Sequence, residues 1–335
     1  MLHLSNTVLA SGPDWIHFDT TSLRQLFWVD TVKGLTYGSI YALIALGYTL
    51  VYGLLKLINF AHSEVFIAGA FAAYFTFKLC GFSPGLAYSS GTVAIVGFLV
   101  LAAVVAALVS SGVALLVERI AYKPLRSRGA PSLVFLITAI GASLTIQQIF
   151  FVWRGANAEP SIQLVIRQPQ IKFFNTTIDN IQIAIIVAAI TLMVVIDQFI
   201  RRTRLGRGIR AVAQDATTAT LMGVNRERVI LLTFAIGGAA AGIAASFYIM
   251  LIPAGVIYNG GFILGIKAFV AAVLGGIGNL RGALLGGLIL GLAENYGQTL
   301  FGGGWRDVVA YVLLIAVLMF RPTGLLGESL GKARA

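Results

Sequence analysis

Two clusters of ionisable residues, and one long basic loop, have the types and spacing to do work. Asn59, His62 and Glu64 fall in one short stretch at the head of an apolar run. An ionisable group at membrane depth is costly and by default marks function. These residues either form a hinge or gate lining a path, or serve as a helix-start cap and an interfacial acid near the positive end of a helix. Lys267 and Glu294 stand in two later apolar runs. They either pair with each other or meet the ammonium and carboxylate of a passing zwitterion. Gln147 and Gln148, in a further apolar run, read as helix-to-helix hydrogen bonds.

The motifs of soluble chemistry are missing. The sequence holds no HExxH, no paired acidic motif and no Ser-His-Asp set in a recognisable context. It holds no G-x-x-x-x-G-K-[ST], so no P-loop cradles phosphates. A lone cysteine, Cys80, excludes an internal disulfide framework and a cysteine zinc cluster. The expectation is a chain that is no enzyme and carries no metal or cofactor of its own.

The elements that must position these residues follow from composition. Of 335 residues, 11% are charged and 58% hydrophobic, against roughly 25% charged in a soluble domain. Lipid contact removes the need for a charged exterior. A helix needs ~20 mostly apolar residues to cross the hydrocarbon. Candidate spans are 34–55, 57–77, 88–117, 132–153, 181–200, 229–252, 262–277, 283–300 and 307–320. Ser83-Pro84-Gly85 and Pro253 with Asn259-Gly260-Gly261 break runs that are otherwise too long. The segments at 262–277 and 283–300 are each short, so a re-entrant pair is an alternative to two crossings. The predicted fold is an all-α polytopic bundle of about eight membrane helices. Residues 1–30 hold no long apolar run and suggest no cleavable signal peptide. The pattern of Trp15, Phe18, Leu23, Leu26 and Phe27 suits an interfacial helix or a disordered tail.

Charge sets the orientation. The 24 Lys and Arg outnumber 13 Asp and Glu, and the excess reads as topology rather than nucleic-acid binding. Arg119, Lys123, Arg126 and Arg128 follow the third span; Arg201, Arg202, Arg204, Arg207, Arg210, Arg226 and Arg228 follow the fifth. Loops on the cytoplasmic side concentrate such residues. That places both loops and the C-terminus inside and the N-terminus outside. The domain plan is an N-terminal extension over 1–30, a membrane domain over 31–327 with a cytoplasmic loop at 201–228, and a tail at 328–335.

The loop 201–228 is patterned. Arg204–Gly208 reads as a basic turn, and Ile209–Leu221 as a short helix on the spacing of Ile209, Val212, Ala213, Ala216 and Thr220. Gly223 ends it and Asn225 caps the next helix. A short helix of this kind between two spans has the shape of a coupling helix; an ordinary basic surface loop is the plainer alternative. Gly206-Arg207-Gly208-Ile209-Arg210-Ala211-Val212-Ala213-Gln214-Asp215, then Leu221-Met222-Gly223-Val224-Asn225, resembles the corresponding loop of bacterial branched-chain amino acid ABC transporter permeases. Gly38–Tyr48 resembles their first span, and Ile58-Asn59-Phe60-Ala61-His62-Ser63-Glu64 their signature. Lys267-Ala268-Phe269, Val273–Gly278 and Pro322-Thr323-Gly324 resemble their C-terminal part. Ser63 stands where the family usually has Gly.

The resemblance implies an inner-membrane permease subunit working beside a second permease subunit. Two cytoplasmic ATP-binding subunits, which use the ATP, and a periplasmic substrate-binding protein complete the implied assembly. It implies coupling through Arg207, Arg210, Asp215, Leu221, Gly223 and Asn225, and a path or gate at Tyr41, Asn59, His62, Glu64, Lys267 and Glu294. Cargo is implied to be branched-chain amino acids, with urea or short amides carried by relatives. A secondary transporter driven by an ion gradient is the reading of a different class.

The glycine pairs Gly34/Gly38, Gly238/Gly242, Gly282/Gly286 and Gly287/Gly291 are spaced by four. Such spacing lets helix backbones approach closely in lipid.

Overall fold

The computed structural model describes residues 19–83, 92–162, 169–173, 176–252 and 255–327. Trp15, Phe18, Pro84, Gly85, Pro253 and the tail 328–335 lie outside the described residues.

Helix α1 spans Thr20–Leu55. The Asp19 carboxylate caps it by accepting the Ser22 amide at 2.8 Å. No Gly or Pro interrupts residues 20–33, so the part of the N-terminal extension from Thr20 onward is continuous with the first span instead of a separate interfacial helix. The helix stops at Lys56, whose φ of 56° is left-handed. Lys56 is the one non-glycine residue with positive φ among the described residues. A non-helical connection then leads to α2, His62–Leu79.

Helix α3, Thr92–Val117, runs into a π-turn, Glu118–Tyr122, and a short α4, Lys123–Ser127. Helix α5 is Ser132–Arg154. An antiparallel ribbon follows, with β1 Pro169–Phe173 paired to β2 Thr176–Asp179 through Ile171↔Ile178 and Lys172↔Thr177. The all-α expectation lacked this ribbon. The ribbon precedes α6, Asn180–Arg202, which a capping box of Asp179 and Gln182 starts.

The predicted helix at 209–221 is two helices: α7, Arg204–Gln214, and α8, Ala216–Leu221. The expected basic turn at 204–208 is the first part of α7, capped by the Thr203 hydroxyl, which accepts the Gly206 amide at 2.9 Å. The break falls at Asp215, in extended conformation, because its carboxylate accepts the Thr217 and Thr218 amides and so starts α8. Next come α9, Arg226–Leu251, α10, Gly260–Gly275, and α11, Leu280–Phe301. A 3₁₀ turn, Gly303–Trp305, leads into α12, Arg306–Phe320.

Six helices among the described residues are long and apolar enough to cross a bilayer, and α10 with α11, bent by 118° at their junction, make up to a seventh. The nine candidate segments include α2, α10 and α11 as separate elements, and the expectation of about eight leaves the last two open between two crossings and a re-entrant pair. Helix α2 carries His62, Glu64 and Lys78 near its ends, which dilutes its apolar character. At 16 residues, α10 is about 24 Å long, short of a ~30 Å core.

Helix α1 is the centre of the bundle. Its residues from Gly38 to Val51 are buried, wrapped by α9, α10 and α11. The glycine pairs make the close contacts. A β-carbon on Gly38 would sit 2.6 Å from the Gly287 carbonyl oxygen, and one on Gly34 would sit 2.9 Å from the Leu292 α-carbon. Gly238 meets the Ser110 carbonyl of α3, and Gly286 meets Ala271 and Gly275 of α10. Without side chains in the way, backbones touch, and dispersion replaces the hydrophobic drive that lipid cannot supply. Outward residues on α5, α6 and α12, such as Leu144, Val187, Ile315 and Phe320, are exposed apolar groups, the surface a lipid solvent requires.

The loops segregate. Gly53 lies against Gly278, and Arg281 pairs with Asp197 at 3.0 Å. The Leu325 and Leu326 amides donate to the Leu274 and Gly275 carbonyls. The end of α1, the α10–α11 turn, the end of α6 and residues 321–327 therefore share one end of the bundle. At the other end the Asp19 amide donates to the Leu300 carbonyl at 3.1 Å.

Candidate functional site

The stretch 56–61 breaks helical structure inside the bundle. The His62 ring rests against Gly47, about 12 Å along α1 from Leu55 at ~1.5 Å per residue. Helix α2 thus begins at depth, not at the surface. His62, Asn59 and Glu64 are all buried. The ring of His62 meets that of Tyr48 edge-on at 4.8 Å.

Neither surface role imagined for these residues holds. Asn59 does not cap α2 with its side chain; its Oδ1 accepts the Tyr122 hydroxyl at 2.9 Å. Glu64 is no interfacial acid. Its Oε1 accepts Gln147 Nε2 at 2.9 Å, the Ser63 hydroxyl at 3.1 Å and the Ser143 hydroxyl at 3.3 Å. Gln147 therefore makes the helix-to-helix bond its position suggests, from α5 to α2, while Gln148 is exposed. A narrow crevice lies beside this break. Tyr48 and Tyr52 of α1, Ile58 and Asn59 of the connection, and Phe269 and Ala272 of α10 line it.

A second cluster gathers Tyr41, Lys267 and Glu294. Lys267 Nζ is 3.1 Å from Glu294 Oε1, one of the two readings open in the sequence, and 2.6 Å from Asp307 Oδ1. Arg306 Nε donates to Glu294 Oε2 at 3.1 Å, and the Tyr41 hydroxyl donates to the same oxygen at 2.8 Å. The Arg306 guanidinium also sits 4.5 Å from the Tyr37 ring centre, a cation–π distance. Two cations and two carboxylates balance, and Glu294 is fully buried while Asp307 is half exposed. Sequence reading missed Arg306, Asp307 and Tyr37. The signal was there: opposite charges directly before the apolar run Val308–Phe320.

A third network was also missed. Arg126 Nη2 contacts Glu118 Oε1 at 2.8 Å and Glu227 Oε2 at 2.9 Å. Its signal was two acids, Glu118 and Glu227, placed at span ends among basic loop residues.

The loop residues stand apart from these clusters. Arg207, Arg210, Asp215, Leu221, Gly223 and Asn225 are all exposed, while Gly206, Ile209, Val212 and Ala219 turn inward. Asn225 caps α9, accepting the Arg228 amide at 3.0 Å, and Gly223 has φ +85°. Hydrogen bonds from the Thr218 hydroxyl, the Thr218 amide and the Thr217 amide hold the Asp215 carboxyl below the usual carboxylate range. Leu221 and Met222 are 82% and 81% exposed, two large apolar side chains on a polar elbow.

The family model described as branched-chain amino acid transport system / permease component matches residues 31–318. The chain belongs to this permease family. The high-affinity branched-chain amino acid transport system permease protein BraD of Pseudomonas aeruginosa is 42% identical over 94% of this chain and 98% of its own length. The corresponding permease protein LivH of Escherichia coli is 40% identical over 91% and 96%. A probable branched-chain amino acid transport permease protein of Methanocaldococcus jannaschii is 30% identical over 87% and 90%. With its apolar helices, this places the chain among multi-pass membrane transport proteins of the family, and the matched region takes in both buried clusters and the elbow.

Proposed function

We propose that this chain is the transmembrane subunit of an ATP-powered importer and forms the path for branched-chain amino acids across a bacterial inner membrane. The end-to-end similarity to permeases of that transport class carries the reading. Its partners are a second permease subunit, two cytoplasmic ATP-binding subunits and a periplasmic substrate-binding protein.

The elbow at 204–228 receives force. Exposed Leu221 and Met222 suit a groove on an ATPase partner, with Arg207, Arg210 and Asp215 around them. The end of the bundle holding the elbow and residues 321–327 faces the cytoplasm, since it gathers the Arg-rich loops. ATP-driven closure of the partner pair pushes the elbow, the bundle tilts, and a path along α1, α2, α10 and α11 opens outward. Substrate delivered by the binding protein enters, and hydrolysis resets the bundle. Tyr41, Asn59, His62, Glu64, Lys267 and Glu294 are the polar groups along this path. Affinity here is low, because the delivering protein selects.

The test is reconstitution with the products of neighbouring genes and labelled leucine, urea or acetamide outside. Leucine uptake with the amides excluded supports the cargo. Uptake of urea or acetamide in its place refutes it.

A further inference from the structure

We propose that Arg126 and Tyr122 form a relay that carries displacement of the 204–228 elbow to Asn59 and the broken connection between α1 and α2. The proposal rests on the reading above and names positioning residues within it.

The input side is Glu227, in the first turn of α9, directly after the elbow's last turn. Its two carboxylate oxygens accept Arg126 Nη2 at 3.1 and 2.9 Å, and Oε1 also accepts Nε at 3.3 Å. The same guanidinium reaches back to Glu118 at 2.8 Å, inside the π-turn. Glu118 is fully buried and the Arg126 side chain is nearly so. Charge-assisted bonds of this geometry are directional; the arm to buried Glu118 is the stronger, since Glu227 is about half exposed and its arm is screened by solvent. A bridge of one Arg between two carboxylates ties the start of α9 to the π-turn.

Helix α3 packs backbone-to-backbone on α9 behind this bridge. Gly238 and Gly242 bring the two backbones into contact, and the Ser111 hydroxyl donates to the Ala235 carbonyl at 2.8 Å. The elbow's exit helix, α3 and the π-turn therefore move as one piece. π-turns inside α-helices recur at functional sites.

The output side is Tyr122, the last residue of the π-turn. Its side chain is buried, and its hydroxyl donates to Asn59 Oδ1 at 2.9 Å. Asn59 belongs to a segment without helical hydrogen bonding and lines the crevice beside Tyr48 and Phe269. This piece thus ends on a polar bond to the non-helical connection between α1 and α2. Packing alone requires no hydroxyl on Tyr122 and no amide on residue 59.

The experiment uses the complete transporter in proteoliposomes, with labelled leucine uptake and ATP hydrolysis measured together. Tyr122→Phe keeps the ring stack on Phe135 and Phe234 and removes the bond. Arg126→Gln cuts the input, and Arg126→Lys restores charge without the fork. The relay predicts that Tyr122→Phe assembles and hydrolyses ATP while leucine moved per ATP falls by up to about tenfold, the scale of one buried hydrogen bond. Arg126→Gln lowers the same ratio, with partial recovery in Arg126→Lys. An unchanged ratio in Tyr122→Phe overturns the relay, and this variant decides even where Arg126→Gln reduces the yield of folded protein. A wild-type complex without ATP-dependent leucine uptake overturns the functional reading instead, so the two failures are distinct.

Discussion

The His62 ring lies so close to Gly47 that a β-carbon at position 47 would overlap its Nε2. Both residues are buried, and the Gly237 carbonyl oxygen is only 2.9 Å from the same point. The broken start of α2 is therefore keyed into α1 at a glycine. Gly47→Ala should destabilise the protein by about 1–3 kcal/mol, the usual cost of overpacking. His62→Ala in the same chain should relieve part of it, giving a non-additive cycle. Thermal unfolding in detergent measures both. Additive losses would show that the contact is not what limits position 47.

The α1–α11 seam makes a sharper steric prediction. A β-carbon on Gly38 meets backbone at 2.6 and 2.9 Å, whereas one on Gly97 meets nothing within 4 Å. Gly38→Ala should cost about 1–3 kcal/mol. Gly97→Ala should be neutral or stabilising by roughly 0.5–1 kcal/mol through helix propensity. Unfolding curves of the two single variants provide the comparison, and equal effects would contradict the seam.

Burial separates the two acids facing Lys267. Glu294 is fully buried with Lys267, Arg306 and Tyr41 around it, while Asp307 is half exposed. Removing a buried partner leaves uncompensated charge and costs about 3–5 kcal/mol. An exposed pair contributes roughly 0–1 kcal/mol. Glu294→Gln should therefore lower the melting temperature far more than Asp307→Asn. The reverse order would mean that the cluster is held from the exposed side.

On the elbow the expected loss is of partner, not fold. Leu221→Ser with Met222→Ser removes apolar surface that is about four-fifths exposed, so stability should shift by under about 0.5 kcal/mol. Co-purification of the ATP-binding subunits should drop. Retention at wild-type level would remove these side chains from the docking surface. Arg210→Glu with Asp215→Arg should likewise weaken association, but the second change also deletes a cap.

Asp215 allows the cap to be separated from docking by pH. Its carboxyl titrates below the ordinary 3.8, so the cap is fully present above that value and is lost as pH falls through the lower folded value. Protection factors for hydrogen exchange at residues 216–221, corrected for the intrinsic pH dependence of amide exchange, should be unchanged from pH 7 down to 5. Asp215→Ala should speed exchange there at every pH, and Asp215→Asn should retain most protection. Lower wild-type protection factors at pH 5 than at pH 7 would show that something other than the carboxylate holds α8.

Much of this architecture is legible in the sequence because lipid enforces simple rules. Apolar runs give α3, α5, α6 and α9 nearly to their ends, and the spaced glycines name the helix contacts. The pairing of Lys267 with Glu294 follows from two opposite charges in adjacent spans. Depth was not legible. Asn59, His62 and Glu64 precede an apolar run, which suggests a surface entry, yet the connection folds inward against Gly47. Residues 20–30 are polar enough to read as an extension, but nothing in them stops α1. Asp215 looks like an interior helix position until its carboxylate captures two amides. Arg126 was counted as one basic loop residue among several, since its two acids arrive from distant parts of the chain.

If a partner's ATP hydrolysis drives branched-chain amino acids through this chain, as proposed, ion gradients are dispensable. The most direct test is leucine uptake by the complete complex in vesicles loaded with ATP, with an uncoupler and sodium ionophore present to abolish ion gradients. The account predicts undiminished uptake that stops when ATP is omitted. Uptake that collapses with the gradients while ATP is maintained would contradict it.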